Sequence, residues 1–413
     1  MPISIRAARS NAQRSLVLLT AVMTCWAGTA FVASAEGVRS DQWYLDAMKA
    51  DQMQSVANGN RVTVAVVDSG VDSSTPELRG RVLHGLDLGI HPTSANKDED
   101  GHGTAMASLI AGTGAGGGIQ GLAPGAKILP VKLGKVLIAA DELMAKSIRY
   151  AVKSDAKVIN ISMGGASDEE SVSKTREAVK YAVSKGKLIF AATGNDGDKG
   201  NYSEFPANIP GVVGVAAVDS NGTVADFSTY GSQVALASPG KDIPVHCEGK
   251  QDFCPRSGTS PAAALASASA ALIWSKHPSW TNNQVLRVMM QTANKPKGKI
   301  PSRYLGYGII RPAQVLLGGK GKPGPADVNP LLEREGATTP DPSASASKSG
   351  DAQPQPSGSD KQASDQQAGK EASADAKSSE SGNTGLWIAL GAGAAVVVAA
   401  VAIVMVRRRG SQY

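Results

Sequence analysis

Cysteine is scarce in this 413-residue chain: of three, only Cys247 and Cys254 lie beyond the first apolar run. No histidine or further cysteine stands at ligand spacing around that pair, which argues against a metal site there. A calcium loop of the EF-hand type is also missing. Surplus charge is missing from the body of the chain as well. The net charge of +6 equals Arg6, Arg9 and Arg14 near the start plus Arg407, Arg408 and Arg409 near the end. What lies between is neutral overall, so a nucleic-acid partner has little support. Aromatic residues are absent from Gly318 to Gly385, a stretch of Pro, Ser, Ala, Gly, Lys, Asp and Gln. Such a composition buries too little apolar surface to offset its ordering entropy, and 318–385 is expected to be a disordered linker. Finally, no Leu-Pro-x-Thr-Gly precedes the last apolar run, where Ser381-Gly382-Asn383-Thr384-Gly385 stands instead. Covalent attachment to a cell wall is therefore disfavoured against a membrane tether.

The two ends read as addresses rather than fold. Residues 1–35 combine a basic start, an apolar stretch from Leu16 to Val32 and a small-residue Ala33-Ser34-Ala35 site, the pattern of a secretory signal peptide. The mature chain is expected to begin at Glu36. Cys25 follows Thr24 inside the signal, which speaks against a lipoprotein. Leu386 to Val406 gives 21 uncharged, mostly apolar residues, enough for one transmembrane helix. The arginines after it place residues 407–413 in the cytoplasm, with the rest of the molecule at the cell membrane facing outward. Export makes a disulfide between Cys247 and Cys254 the default state of the pair.

Between these ends lies one α/β unit. VTVAVV, AKVINIS, KLIFAAT and GVVGVAAV read as buried strands, and 141–153, 168–185 and 260–276 as helices beside them. That alternation predicts a parallel sheet with helices on both faces. The 46 glycines fit its many turns and close helix-sheet contacts.

Three segments carry chemistry. VAVVDSGVD delivers Asp68 at the end of a buried strand. DGHGTAMASLIAG presents His102 between two glycines at a helix start. SGTSPAAALAS puts Ser260 at the head of an alanine-rich helix, where free N–H groups and the helix dipole favour a developing oxyanion. A fourth, KLIFAATGNDG, ends a strand in a loop that carries the Asn195 amide. Singly, each motif is a common turn or cap. Jointly, carboxylate, imidazole and hydroxyl in this order and setting supply a nucleophile, its base and the base's orienting group. His84, His91, His246 and His277 lack such a setting and are expected to be surface or structural residues.

In these motifs the chain resembles the subtilase family, from residue 60 to about 315. GLAPGAKILPVKLG, VINISMGG and VVGVAAVDSNGTVADFSTYGSQVALASPG extend the likeness. It is closer still to the mycosins, membrane-anchored subtilases of type VII secretion, through DQWYLDAMKADQMQSVANGN, the cysteine pair before the serine loop and the C-terminal anchor. The resemblance implies a subtilisin-like peptidase domain over 60–317, a catalytic triad of Asp68, His102 and Ser260, Asn195 as oxyanion donor, and pocket walls from Ser162 to Gly165 and Ala191 to Gly194. It implies peptide or protein substrates, exported proteins among them, a type VII secretion complex as partner, and no cofactor. One departure stands out: the family usually has another side chain and then Ala-Ala-Pro after the nucleophile, whereas here Pro261 follows at once, at the expected first helical position. This altered segment and the tether also suit an alternative, a largely non-hydrolytic structural component of a secretion complex. Residues 36–59 are too few for an inhibitory prodomain and are expected to pack on the peptidase domain as an extension.

Overall fold

A computed structural model describes residues 37–133, 140–166, 171–247 and 252–334. The expected signal, the apolar span, the basic tail and most of the linker lie outside them. Among the described residues no helix is long and apolar enough to cross a membrane.

The chain opens with a 3-10 turn, Val38–Asp41, and two short helices, α1 (Trp43–Met48) and α2 (Ala50–Gln54). Then follow β1 (Thr63–Asp68), β2 (Leu86–Asp87), α3 (His102–Ala111), β3 (Lys127–Lys132), α4 (Ala140–Lys153), β4 (Ala156–Ile161), β5 (Gly165–Ala166) and α5 (Ser173–Ser184). The second half adds β6 (Leu188–Ala192), β7 (Glu204–Phe205), β8 (Val213–Val218), β9 (Val234–Pro239), β10 (Ile243–His246), β11 (Phe253–Arg256), α6 (Thr259–Lys276), α7 (Asn282–Thr292), α8 (Pro312–Leu316) and α9 (Pro330–Arg334).

Seven strands form one sheet in the order β2-β3-β1-β4-β6-β8-β9, parallel at every pairing. Period-two alternation explains why both faces are covered. Val64 and Val66 of β1 point into one apolar cluster with α3 and α6, while Ala65 and Val67 join the opposite cluster with α4 and α5. The expected parallel sheet with helices on both faces is what the structure shows. Because β1 has β3 on one side and β4 on the other, a crevice opens beyond the carboxyl ends of the central strands, the usual ligand position in such sheets.

Helix α6 is the axis of one layer. Every residue from Thr259 to Trp274 is buried, so the helix is enclosed on all sides and its alanines let it lie close to the sheet. It starts at Thr259, so Pro261 is the third helical residue, two places later than the sequence suggested. Its missing N–H is still among those a helix start leaves unpaired. Helix α5 also begins later than residue 168, at Ser173.

The N-terminal segment belongs to the same core: Tyr44, Leu45 and Met53 are fully buried within it. Gln42 makes a reciprocal pair with the Gln120 backbone, Nε2 to O at 2.8 Å and N–H to Oε1 at 3.0 Å. At the other end, residues 318–334 depart from the expected linker. Gln284 Nε2 donates to Gly324 O at 3.0 Å, Arg287 Nη2 donates to Val328 O at 2.7 Å, and Leu331 is buried in the core. The composition that suggested disorder conceals backbone carbonyls that α7 side chains hold, so this part of the segment extends the domain.

Cys247 and Cys254 form a disulfide with their Cα atoms 5.3 Å apart, closing the antiparallel β10-β11 hairpin. His246 bonds through Nε2 to Oε1 of the fully buried Glu77, which also accepts from Ser108 Oγ on α3 at 3.0 Å. Burial pushes the Glu77 carboxyl up, but His246 and the remaining hydrogen bonds hold it below its ordinary value. His246 is thus a structural residue, as expected.

Candidate active site

Asp68 ends β1 and is almost wholly buried. Its Oδ1 accepts the Ser69 N–H at 2.8 Å and lies 2.7 Å from His102 Nδ1. His102 is the first residue of α3, entered through Gly101 at φ 86°. What lets α3 approach β1 so closely is Gly103: a Cβ there would lie 2.1 Å from Gly70 O and 2.9 Å from Asp68 Cβ. Any side chain at 103 would push the imidazole off the carboxylate.

A second carboxylate organises the loop before α3. Asp98 Oδ1 accepts from Ser69 Oγ at 2.9 Å and Gly101 N–H at 2.9 Å, and Oδ2 from Thr104 N–H at 2.9 Å and Thr104 Oγ1 at 2.6 Å. Ser69 Oγ in turn accepts the Gly103 N–H at 2.9 Å. The position of His102 is therefore set from both sides of the β1 turn. Electrostatically, the Asp68 charge raises the imidazole from 6.5 to about 9, overcoming the opposing effect of burial, with smaller contributions from the Asp68 hydrogen bond, Asp100 and Asp98.

Ser260 is the second residue of α6 and mostly buried. Its Oγ donates to the Ser162 carbonyl at 3.2 Å rather than to the His102 ring. Beneath it runs a buried polar thread: Ser267 Oγ to Asn160 Oδ1 at 3.1 Å, Asn160 Nδ2 to Ser162 Oγ at 2.9 Å. This thread registers α6 against β4, whose apolar pattern alone would allow sliding.

Asn195 follows Gly194, which adopts φ 106° at the end of the β6 loop. Its Oδ1 accepts from Thr259 N–H at 2.8 Å and Thr259 Oγ1 at 3.1 Å. The carbonyl end of the amide is thereby anchored to the start of α6. Asn195 and Ser260 both line the pocket, and each carries an N–H donor: the Asn195 amide and the Ser260 backbone N–H, which has no intrahelical acceptor.

Asp68, His102, Ser260 and Asn195 line one pocket of about 390 Å³. Ser162, Met163, Gly164, Ala192 and Gly194 are among its walls, in agreement with the two expected wall segments. Residues not anticipated from sequence are Thr259, which fixes Asn195, Asp98, which fixes the His102 loop, and Glu204, which lines the pocket. Asp98 could have been found in DEDGHGT as an acidic residue just ahead of the histidine. Thr259 and Glu204 give no local signal. Among the described residues no cluster of His, Cys, Asp and Glu has the form of a metal site.

Comparison with known proteins follows the same lines. The model for the subtilase family matches residues 59–308. Subtilisin NAT of Bacillus subtilis subsp. natto is 34% identical over 279 residues, 67% of this chain and 71% of that protein. Thermitase of Thermoactinomyces vulgaris is 34% identical over 261 residues, 63% of this chain and 90% of its own length. Among solved structures, MycP1 from Mycobacterium smegmatis is 27% identical with a TM-score of 0.59, covering 69% of this chain and 86% of that one. The MycP3 protease from the type VII (ESX-3) secretion system is 29% identical with a TM-score of 0.57, covering 66% and 87%.

Proposed function

The chain belongs to the subtilase family of serine endopeptidases, and from that premise we propose that it is a membrane-anchored, extracytoplasmic protease that processes proteins exported by a type VII secretion system. Asp68, His102 and Ser260 act as the triad, and Asn195 with the Ser260 N–H as the oxyanion site. The observation that carries this reading is the 2.7 Å Asp68–His102 contact in the pocket that Ser260 and Asn195 also line.

In the reaction, the Ser260 hydroxyl turns from the Ser162 carbonyl toward His102 Nε2, which takes its proton as Oγ attacks the peptide carbonyl. Asp68 holds the Nδ1–H tautomer and stabilises the imidazolium. The carbonyl oxygen becomes an oxyanion between Asn195 Nδ2 and the Ser260 N–H, donors already oriented and so needing little reorganisation. His102 returns the proton to the leaving amine, and water then releases the acyl group by the same steps. With its proton affinity raised by Asp68, His102 becomes a free base only as the pH rises toward 9.

Location rests on sequence: the signal-like 1–35, the apolar 386–406 and the arginines behind it. The link to secretion rests on likeness to the MycP proteases. Fluorophosphonate labelling of the full chain in membranes tests the catalytic reading. Labelling that Ser260→Ala abolishes supports it, and a folded, unlabelled enzyme refutes it. The resting Ser260–Ser162 bond and the first-turn Pro261 favour a second reading, a structural component of the secretion complex. Secretion that fails on deletion yet survives Ser260→Ala would establish that role.

A further inference from the structure

Glu204, the first residue of β7, is a carboxylate that the hydrolytic steps leave without a task. Its backbone is pinned, with Ala166 of β5 opposite Glu204, Gly165 opposite Phe205, and the Asn208 N–H donating to Glu204 O at 3.1 Å. Its side chain lines the same pocket as Ser260 and Asn195.

Both carboxylate oxygens can be located against the pocket walls. A Cβ on Gly194 would lie 2.6 Å from Oε1, and a Cβ on Gly164 would lie 3.3 Å from Oε2. The carboxyl therefore closes a slot whose two sides are glycines, one from the wall segment after β4 and one from that after β6. A side chain at 194 would displace it. Among the described residues no side-chain hydrogen bond or ion pair neutralises Glu204, and the charge that acts on it, Asp196, has the same sign. Burial first, and Asp196 second, raise the carboxyl above its ordinary value. A carboxylate retained only to pin a loop would hold a donor of that loop, and this one holds none.

We propose that Glu204 determines specificity, receiving a lysine or arginine side chain of the substrate on the acyl side of the scissile bond. The proposal rests on reading the pocket as the peptidase site. The reacting carbonyl sits between Ser260 and Asn195, and the side chain on the adjoining carbon is the one that enters a slot continuous with both. A cation there meets a half-desolvated carboxylate and gains more than it would in water. An apolar side chain leaves the carboxylate unpaired and is rejected for that reason.

The test uses the full chain in membranes and peptidyl diphenyl phosphonates that differ only in the side chain next to phosphorus, lysine or arginine against leucine. In the wild type the basic probes are expected to label Ser260 faster by on the order of 10²-fold. Glu204→Gln should bring that ratio toward unity, and Glu204→Lys should favour a glutamate probe. Leucine labelling as fast as lysine in the wild type, with Ser260 reactive to a plain fluorophosphonate, overturns the specificity while leaving the protease intact. A folded enzyme that no probe labels removes the protease reading and this inference with it. The wild-type comparison stands whether or not the variants fold.

Discussion

Asp68 Oδ1 and His102 Nδ1, 34 positions apart in sequence, lie 2.7 Å apart at the crevice end of the sheet. Asp68 is 1% exposed and its Oδ2 has no hydrogen-bond partner among the described residues, so its charge is directed at one ring. Asp68→Asn removes that charge and favours the wrong tautomer. The expected loss in kcat is on the order of 10⁴-fold, the size seen when the same change is made in the chymotrypsin-type triad. A pH profile of wild-type kcat/KM should rise toward pH 9, and in Asp68→Asn the residual limb should move down.

Protonation of His102 also stabilises the folded state. A base whose folded value is raised from 6.5 to about 9 contributes stability that is complete below 6.5 and lost as the pH climbs through 9. Thermal unfolding of Ser260→Ala, used to prevent self-digestion, should show a falling Tm across this window. The double variant with His102→Gln should not show that component.

The grip of Thr259 on Asn195 can be separated from the amide's own contribution. Asn195→Ala should lower kcat about 10²- to 10³-fold, a magnitude taken from the equivalent subtilisin donor. Thr259→Val keeps the amide but removes the hydroxyl contact at 3.1 Å, so kcat should fall less, with KM little changed. Equal losses in both variants would show that Thr259 does more than orient Asn195.

Replacing Gly103 should damage the site through the backbone. The methyl of Gly103→Ala would meet a fixed carbonyl, Gly70 O, at 2.1 Å, and flexible side chains cannot yield there. Overpacking of this kind costs about 1–3 kcal/mol or more. Denaturant unfolding should show it, alongside a loss of activity in the protein that remains folded.

His246→Ala strands the buried Glu77 carboxylate, for which about 3–5 kcal/mol of stability is expected to be lost. Because the folded Glu77 value is held below 4.5, that contribution exists above 4.5 and disappears as acid protonates the carboxyl. Wild-type and variant stabilities should therefore converge at low pH.

Much of the site was legible because its main parts are local. Asp68 ends a six-residue β-branched strand, His102 follows a glycine at a helix start, and Ser260 heads a helix, so each motif contains its own positioning element. The parallel sheet was legible from continuous apolar strands for the same reason. What escaped depends on contacts between distant segments. Thr259 meets Asn195 across 64 positions, and Glu204 reaches the pocket only because β7 pairs with β5. In sequence Glu204 sits in NYSEFPAN, indistinguishable from a surface loop. Residues 318–334 read as linker because glycine, proline and lysine dominate them, whereas their order comes from side chains of α7 holding their carbonyls.

The burial of α6 from Thr259 to Trp274 links Ser260, the proposed nucleophile, to the most protected part of the molecule. The hydrogen-bonded amides of its interior should exchange with deuterium only when the whole domain opens. Local fraying will not leave a molecule that is still folded yet lacks its serine, and a molecule that has lost α6 is an open chain. For a protease that open chain is also a substrate, so damaged copies would be digested by intact neighbours instead of persisting as impaired ones. A population of this protein should age by losing members, with the activity of each survivor unchanged.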